Sequence, residues 1–280
     1  MRLVADDYSD FTTEQLLALA NGLGLPDPLF LRTPPVSEWP HEVRREVETL
    51  GVRSLMARDL VRIERDKLRI PLVLRHLMAP LCESSVVTTV VRSGAAGNTV
   101  AQMYSHKGHT TAHQPSIGGN HRLRVFPTAV IGTVIVRLCE LRKVDAPSGH
   151  EVTITADQAH AALRTLVTAI ESGELGDPPA PALENVDLGA LEAIGTDINI
   201  NNVTVTRLAS ESTVSGAVVS WIDGGPDKLF LVEQADDTAT ITPASGDDVL
   251  AAVMTGYTDG TVPDLTNVAW DETLEPVATP

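Results

Sequence analysis

The sequence is short of cysteine, aromatic residues and lysine. Its 280 residues include two cysteines, Cys82 and Cys139, which lie far apart and form no CxxC or other metal-ligand spacing. Aromatic side chains make up 4% of the chain, so valine, leucine, isoleucine and alanine must supply most of the core. Four lysines stand against seventeen arginines, a bias typical of a GC-rich genome. We expect both cysteines to be small buried apolar residues in a reduced cytoplasm.

Long apolar runs and catalytic signatures are also missing. No stretch reaches the roughly 18 apolar residues of a membrane span, which predicts no membrane insertion. The N-terminal MRLVADDYSD contains aspartates and lacks the apolar segment of a signal peptide. The chain contains no GxSxG, HExxH or GxxxxGK[ST], and no GxGxxG that follows a strand. We therefore expect a cytoplasmic protein without a cofactor.

Positive charge is scarce in the second half of the chain. Residues 1–144 contain 18 Lys and Arg against 14 Asp and Glu, a net charge of +4. Residues 145–280 contain 3 Lys and Arg against 23 Asp and Glu, a net charge of −20. So acidic a half excludes a nucleic-acid partner, because a phosphate backbone needs a concentrated basic footprint. Two interpretations remain, a solvated acidic surface that keeps the protein soluble and an acidic docking face for a basic partner.

The first half begins with helical patterns and continues with β patterns. Thr12 and Gln15 form a capping-box sequence at the start of one helix. A second helix is expected from Pro40 to Gly51 with Val43, Val47 and Leu50 buried, and residues 52–70 fit either a short helix or a hairpin. The pattern further predicts a helix from Pro71, strands at 85–92, 99–105, 110–114 and 122–126, and a helix from Pro127.

The second half follows a similar plan. The pattern predicts a helix from Thr155, a proline-rich break at 178–181, a helix at 187–194, strands at 202–208, 213–222, 229–233 and 238–242, and a helix capped by Ser245. We therefore predict an α+β fold built from a duplicated quasi-twofold unit of antiparallel meander plus helices. The expected organisation is an N-terminal half at 1–144, a C-terminal half at 145–262 packed closely against it, and a loose acidic tail at 263–280.

Four histidines lie within sixteen residues. They are His106, His109, His113 and His121. Imidazole is a favoured zinc ligand, so this region is a candidate metal site and would suit a metal-dependent enzyme. No carboxylate lies within the cluster to orient an imidazole, and residues 106–109 read as the tip of a hairpin. We therefore favour an exposed hairpin with titrating histidines and expect no bound metal.

Two passages resemble the EspG family of chaperones associated with type VII (ESX) secretion. The first is TTEQLLALANGLG, followed by the link RTPPVS and a helix ending ETLGV. The second is SWIDGGPDKLFLVE, followed by TITPASGDDVLAAVMTGYTDGTVP. With the meander between them, the resemblance spans nearly the whole chain. It implies a quasi-twofold α+β fold, a central sheet flanked by helical bundles, and no enzymatic activity.

The resemblance also implies a partner. EspG-like proteins bind the apolar helical tip of PE–PPE heterodimers and keep it soluble for export. Carried onto this chain, it implies a monomer or weak homodimer that binds a PE–PPE-like pair or another helical-hairpin secretion substrate. The short loop from Ser93 to Asn98 departs from family members that recognise substrates through a long loop there. The candidate contact residues are Val203, Val205, Val219, Trp221, Phe230 and Val232.

Trp221 and Phe230 were chosen by residue type, because tryptophan is a favoured interface anchor. If both belong to one hairpin, they lie near each other across it, and core packing is the alternative interpretation. We predict that a folded Trp221→Asp variant loses partner binding. The alternatives to a chaperone are a metal-dependent enzyme that uses the histidine-rich region and a structural or immunity-type interaction protein.

Overall fold

The computed structural model describes residues 9–32, 36–65, 67–94, 97–116, 119–149, 151–155, 199–208, 214–225, 227–235 and 238–257. The helices in these ranges are α1 (Thr13–Leu23), α2 (His41–Ala57), α3 (Leu72–Glu83), α4 (Ile131–Cys139) and α5 (Gly246–Thr255). The strands are β1 (Ser9–Phe11), β2 (Arg62–Glu64), β3 (Lys67–Arg69), β4 (Val86–Gly94), β5 (Gly97–His106), β6 (His109–Pro115), β7 (His121–Pro127), β8 (Val152–Thr155), β9 (Asn199–Leu208), β10 (Val214–Asp223), β11 (Leu229–Ala235) and β12 (Thr238–Pro243).

A large antiparallel sheet dominates the fold. Its strands follow the order β1-β7-β6-β5-β4-β9-β10-β11-β12-β8, and β2 and β3 form a separate two-stranded ribbon. The order divides between β4 and β9 into two similar runs. Each run has four strands that are consecutive in the chain, β4–β7 or β9–β12, followed by one short strand, β1 or β8. These elements confirm the predicted α+β class. The duplication of one unit stays a prediction.

The chain forms two compact units, each assembled from separate stretches. Unit 1 contains residues 1–90, 100–134 and 204–216, and unit 2 contains residues 91–99, 135–203 and 217–280. The predicted halves at 1–144 and 145–262 stay a prediction. None of the helices in the described ranges is long and apolar enough to cross a membrane.

The core of unit 1 lies between the first helices and the sheet. Thr12 and Gln15 form the predicted capping box of α1, in which the Thr12 amide donates to Gln15 Oε1 at 3.0 Å. This bond satisfies a backbone donor that a helix start otherwise leaves free. The fully buried side chains of this core include Leu16, Leu17, Leu19, Met78, Leu81 and Leu123.

Helix α2 differs from the prediction in length and in orientation. It continues past Gly51 to Ala57, and it exposes 42% of Val43 and 57% of Leu50, which were both predicted to be buried. Gly51 lies inside the helix and does not end it. It is the point where α2 packs closely on α1. A Cβ built on Gly51 would lie 2.1 Å from the Glu14 carbonyl oxygen. The buried side of α2 is therefore the side of Gly51 and Leu55.

Most of the other predicted elements are present. The structure resolves the ambiguity at 52–70 as the end of α2 followed by the β2–β3 hairpin. The strands of both meanders match their predicted positions within a few residues. Strands β1 and β8 were not predicted, because three and four residues are too few to show a period. The helix predicted from Thr155, the break at 178–181, the helix at 187–194 and the tail at 263–280 lie outside the described residues.

Unit 2 contains the second capping box. The Ser245 amide donates to Asp248 Oδ2 at 2.9 Å, and the Asp248 amide donates to Ser245 Oγ at 3.1 Å. The hydrogen bonds from Ser245 hold the pKa of Asp248 below its usual value. Helix α5 then buries Val249, Leu250 and Val253 completely. Met254 and Tyr257, which the same spacing places inward, are half-buried.

Candidate partner-binding surface

The hairpin of β10 and β11 separates its side chains onto two faces. Trp221 pairs with Leu231, and Phe230 pairs with Ile222. Directly paired residues of an antiparallel sheet point to the same side, and successive residues alternate between sides. Trp221 and Phe230 therefore lie on opposite faces, which makes the expected contact between them wrong.

The strand β9 can be placed on these faces through one hydrogen bond. Ser220 Oγ donates to Asn202 Oδ1 at 2.6 Å, so Asn202 shares a face with Ser220 and hence with Ile222 and Phe230. Its neighbours along β9 point to the opposite side, the side of Trp221. We call the two sides the Trp221 face and the Phe230 face. The Phe230 face consists of Asn202, Val218, Ser220, Ile222, Phe230, Val232 and Ile241.

The six residues predicted to contact a partner differ in exposure. Trp221 and Val205 are each 1% exposed, and Val203 is fully buried. Phe230 is 7% exposed. Val219 and Val232 are half-buried. Because Val219 belongs to the Trp221 face and Val232 to the Phe230 face, the six side chains do not form one continuous surface.

The Phe230 face is the more open side of this region. Val218 is 67% exposed, and Ile222 and Val232 are half-buried. Ser220 and Asn202 contribute hydrogen-bonding groups between these apolar side chains, and their mutual bond holds them in place. This face therefore presents accessible aliphatic groups with a few fixed polar groups among them, the composition expected of a binding surface. Sequence reasoning missed Val218 and Ile222, although both alternate with Ser220 along the predicted strand.

An ion pair holds the turn between β10 and β11. Asp223 is 7% exposed, and it accepts a hydrogen bond from Arg142 Nη2 at 2.6 Å and one from the Gly225 amide at 3.0 Å. Arg142 also donates to the Gly225 carbonyl oxygen at 2.7 Å. Gly225 has a φ of 105°, which favours glycine. Aspartate and glycine are common turn residues, so the sequence Asp223-Gly224-Gly225 favours the turn that is present here.

Asn201 is an unusual member of the Trp221 face. It is fully buried, and neither its Nδ2 nor its Oδ1 has a hydrogen-bond partner among the described residues. Burial of an unpaired amide costs free energy, because water is lost and not replaced. Asn201 therefore destabilises β9 unless a group outside the described ranges satisfies it.

His113 and His121 form one pair of the histidine-rich region. His113 Nε2 lies 3.0 Å from His121 Nδ1, and His121 Nε2 lies 3.0 Å from Thr13 Oγ1. Phe30 stacks on the His113 ring with centroids 4.1 Å apart. His113 Nδ1 is buried and has no described partner, so a second proton there would find no acceptor. Burial lowers the pKa of His113 to about 4, and burial also lowers the pKa of His121.

His106 and His109 make other contacts. They pair across the β5–β6 turn, and His109 stacks on His76 of α3 with ring centroids 4.4 Å apart. His106 Nε2 lies 3.4 Å from Glu83 Oε2. Among the described residues, no three His, Cys, Asp or Glu side chains form a group that could hold a metal. The prediction of an exposed hairpin with four accessible histidines was wrong. His113 is 4% exposed because its strand face packs inward, and His106, His109 and His121 are half-buried.

The two cysteines are buried and free, as the sequence predicts. Burial raises the pKa of each thiol to about 12. A thiol with so high a pKa carries almost no thiolate at neutral pH, and the thiolate is the reactive form. Cys82 and Cys139 therefore serve as packing residues.

No protein-family model matches the chain, and a search of curated proteins finds no match. A solved structure does resemble it, that of the Mycobacterium tuberculosis type VII secretion system chaperone EspG5 in complex with the PE25-PPE41 dimer. The TM-score is 0.58 at 13% sequence identity, and the likeness covers 92% of this chain and 97% of the matched chain. At this identity the likeness establishes a shared α+β fold.

Proposed function

We propose that this chain is a non-enzymatic cytoplasmic chaperone that binds the apolar helical tip of a type VII secretion substrate, a PE–PPE-like pair. The observation that carries this proposal is the fold likeness, which extends over 92% of this chain and 97% of a chain in a chaperone–substrate complex. A likeness over nearly the whole of both chains favours a common role more than a likeness confined to one motif. The EspG-like sequence passages at both ends of the chain support the same role.

The Phe230 face supplies a suitable surface for such a tip. Val218, Ile222 and Val232 offer aliphatic area on strands that their hydrogen bonds keep rigid. An amphipathic helical tip that covers this area gains roughly 25 cal/mol per Å² of buried apolar surface, before ordering costs are subtracted. Because the substrate must later be released to the secretion machine, we expect affinity in the micromolar range, about −8 kcal/mol.

The contact residues in this proposal differ from the six first predicted. In the proposed complex, Val218, Ile222 and Val232 contact the partner. Trp221 does not, and it supports the strands from the opposite face. A side chain that is 1% exposed has no area left to offer a partner. Phe230 lies beside Ile222 and Val232 on the same face and, being 7% exposed, offers a partner little area.

The test is co-expression of the full chain with a PE–PPE-like pair from its source organism. We expect the pair to stay soluble and to co-purify with the tagged chain, whereas the pair expressed alone aggregates. The Val218→Asp variant is expected to lose co-purification, because a carboxylate on the apolar contact must be desolvated.

Val130→Asp is the matched control, since Val130 is 42% exposed and lies outside the sheet at the start of α4. It should bind like the unmodified chain. If Val218→Asp and Val130→Asp both bind normally, the Phe230 face is not the contact surface. If no secretion substrate of this or another helical-hairpin class binds the unmodified chain, the chaperone proposal itself is wrong.

A further inference from the structure

A hydrogen-bonded polar pair lies in the middle of the aliphatic part of the Phe230 face. Along β10, Ser220 lies between Val218 and Ile222, and all three point to the same side of the sheet. Across to β11, Ser220 pairs with Val232. Its hydroxyl donates to Asn202 Oδ1 at 2.6 Å. A partner that covers the three aliphatic side chains therefore also covers this polar pair and removes it from water.

Asn202 retains hydrogen-bond donors that the fold does not use. A side-chain amide has one acceptor oxygen and two N–H donors. Ser220 occupies the oxygen, whereas Nδ2 donates to no other residue in the described part of the chain. Asn202 is half-buried, and its Nδ2 is accessible, unlike the enclosed Nδ2 of Asn201. Ser220 thus fixes the direction of an amide whose two donors remain available to a partner.

These donors disfavour a partner that has no matching acceptor. An amide that loses water without gaining a hydrogen bond destabilises the complex. A site with a fixed donor at its centre therefore rejects a surface that is apolar throughout, and it accepts one with an oxygen at the matching position. Gln234 is different. It is exposed two residues after Val232 and points to the same side, but no described residue holds its amide, so it can turn to solvent.

The charge of this part of the chain favours a neutral acceptor. Residues 145–280 contain 23 Asp and Glu against 3 Lys and Arg, so a carboxylate that approaches this surface is repelled. A backbone carbonyl oxygen carries no net charge. At the end of a helix, the last four carbonyls have no partner within the helix. An apolar helical tip presents such carbonyls beside its apolar side chains, which matches the combination of groups on the Phe230 face.

We propose that Asn202 selects the partner by donating from Nδ2 to a free carbonyl oxygen at the end of a helix in the bound tip. This inference rests on the proposed function and names what the Phe230 face recognises. The aliphatic side chains supply contact area, and the fixed amide determines which apolar helices fit and in which position. Ser220 is a positioning residue, because its hydrogen bond sets the direction of the Asn202 amide.

The test is a competition experiment on the purified complex of the tagged full chain with the PE–PPE-like pair. Untagged chain displaces the pair, and the half-displacing concentration gives the relative affinity. Asn202→Leu should require about ten times more competitor than the unmodified chain, because the carbonyl of the partner is left without a donor. A purely apolar contact predicts the opposite, since leucine adds apolar area. Gln234→Leu makes the same change at the unfixed amide and should compete as the unmodified chain does.

A second pair of variants keeps the test valid if Asn202→Leu does not fold. Asn202→Asp keeps the oxygen that Ser220 binds but loses both donors, so its hydrogen bond within the fold survives. Gln234→Glu adds the same charge on the same side of the sheet. Asn202→Asp should require about ten times more competitor than Gln234→Glu, because only the first variant removes the fixed donor. Thermal unfolding checks that each variant folds.

The possible outcomes separate this inference from the proposed function. If the Asn202 variants compete as well as their Gln234 controls, or if Asn202→Leu competes better than the unmodified chain, the role of Asn202 is overturned and the chaperone proposal stands. If the unmodified chain forms no complex with the pair, the chaperone proposal fails, and this inference fails with it.

Discussion

Gly51 of α2 lies directly against the backbone of Glu14 in α1, so closely that a Cβ at position 51 would lie 2.1 Å from the Glu14 carbonyl oxygen. Ala18 closes the same site from the side, with its Cβ 2.9 Å away from the added atom. The obstacle is helix backbone, which cannot rotate aside as a side chain does. Two helices can approach so closely only where one of them has no side chain.

We expect Gly51→Ala to destabilise unit 1 by about 2 kcal/mol, because the helices must separate to admit the methyl group. This cost exceeds the gain of about 1 kcal/mol that alanine gives in a helix interior. Urea unfolding measures the difference. Glu42→Ala on the exposed start of the same helix is the control and should change stability by less than about 0.5 kcal/mol. Equal stability of the two variants would contradict the close approach.

The His113–His121 pair predicts a loss of stability in acid. The pKa of His113 is about 4 in the folded chain and near 6.5 in the unfolded chain. Below pH 6.5 the unfolded chain therefore binds a proton that the folded chain refuses, and stability falls until about pH 4. Between pH 6.5 and 5 we expect a loss of about 2 kcal/mol from His113 alone.

Urea unfolding at a series of pH values tests this expectation. His113→Gln should be less stable than the unmodified chain at pH 7, since it loses the Phe30 stack, but its stability should vary less between pH 6.5 and 5. His41→Gln on the exposed start of α2 serves as the comparison and should keep the original pH profile. An unchanged profile in His113→Gln would show that other groups cause the acid sensitivity.

Trp221 and Val218 should separate stability from binding. Trp221 is 1% exposed, so Trp221→Ala should cost about 3–5 kcal/mol through the cavity that it leaves. Val218 is 67% exposed, so Val218→Asp should cost about 1 kcal/mol or less. The predicted binding test with a folded Trp221→Asp variant is therefore unsuitable, because we expect a charge at this buried position to destabilise the chain severely. Thermal unfolding of Trp221→Ala and Val218→Asp measures these two costs. A Trp221→Ala protein as stable as the unmodified chain would contradict the placement of Trp221 in the core.

Asn201 should be replaceable with a gain in stability. Its buried amide has no described partner, so Asn201→Leu, which is of similar size, should stabilise the chain by about 1 kcal/mol. Asn202→Leu on the same strand is the opposite case. Asn202 accepts the 2.6 Å hydrogen bond from Ser220, so its replacement should destabilise the chain. A loss of stability in Asn201→Leu would instead reveal a partner for the amide, such as a buried water.

Elements defined by neighbouring residues could be predicted from the sequence. The Thr12 and Ser245 caps are local, since each needs a partner three residues away, and both are present. Which side of α2 is buried could not be predicted, because this depends on the contact of Gly51 with α1. Register was equally hidden. Moving a strand by one residue reverses every side chain, so the positions of Trp221 and Phe230 relative to each other depended on a turn geometry that the sequence did not determine.

The candidate surface illustrates the same limit. The predicted strands are present, but residue type favoured the large aromatic side chains as contacts, and these proved to be buried. The accessible residues, Val218 and Ile222, are ordinary strand valine and isoleucine with no distinguishing signal. The alternation along β10 puts them on one face, and only their exposure in the folded chain shows that this face is the open one.

The described strands at the two ends of the sheet order are the shortest in it, three residues in β1 and four in β8. A long, regular outer strand offers a row of unpaired amides and carbonyls on which another extended chain can polymerise. Short strands at the two ends of the sheet order present few unpaired amides and carbonyls. A protein proposed to hold an aggregation-prone cargo has particular need of this property, because it meets that cargo at high local concentration. Short outer strands thus reduce the chance that a protein with the proposed role would polymerise together with its substrate.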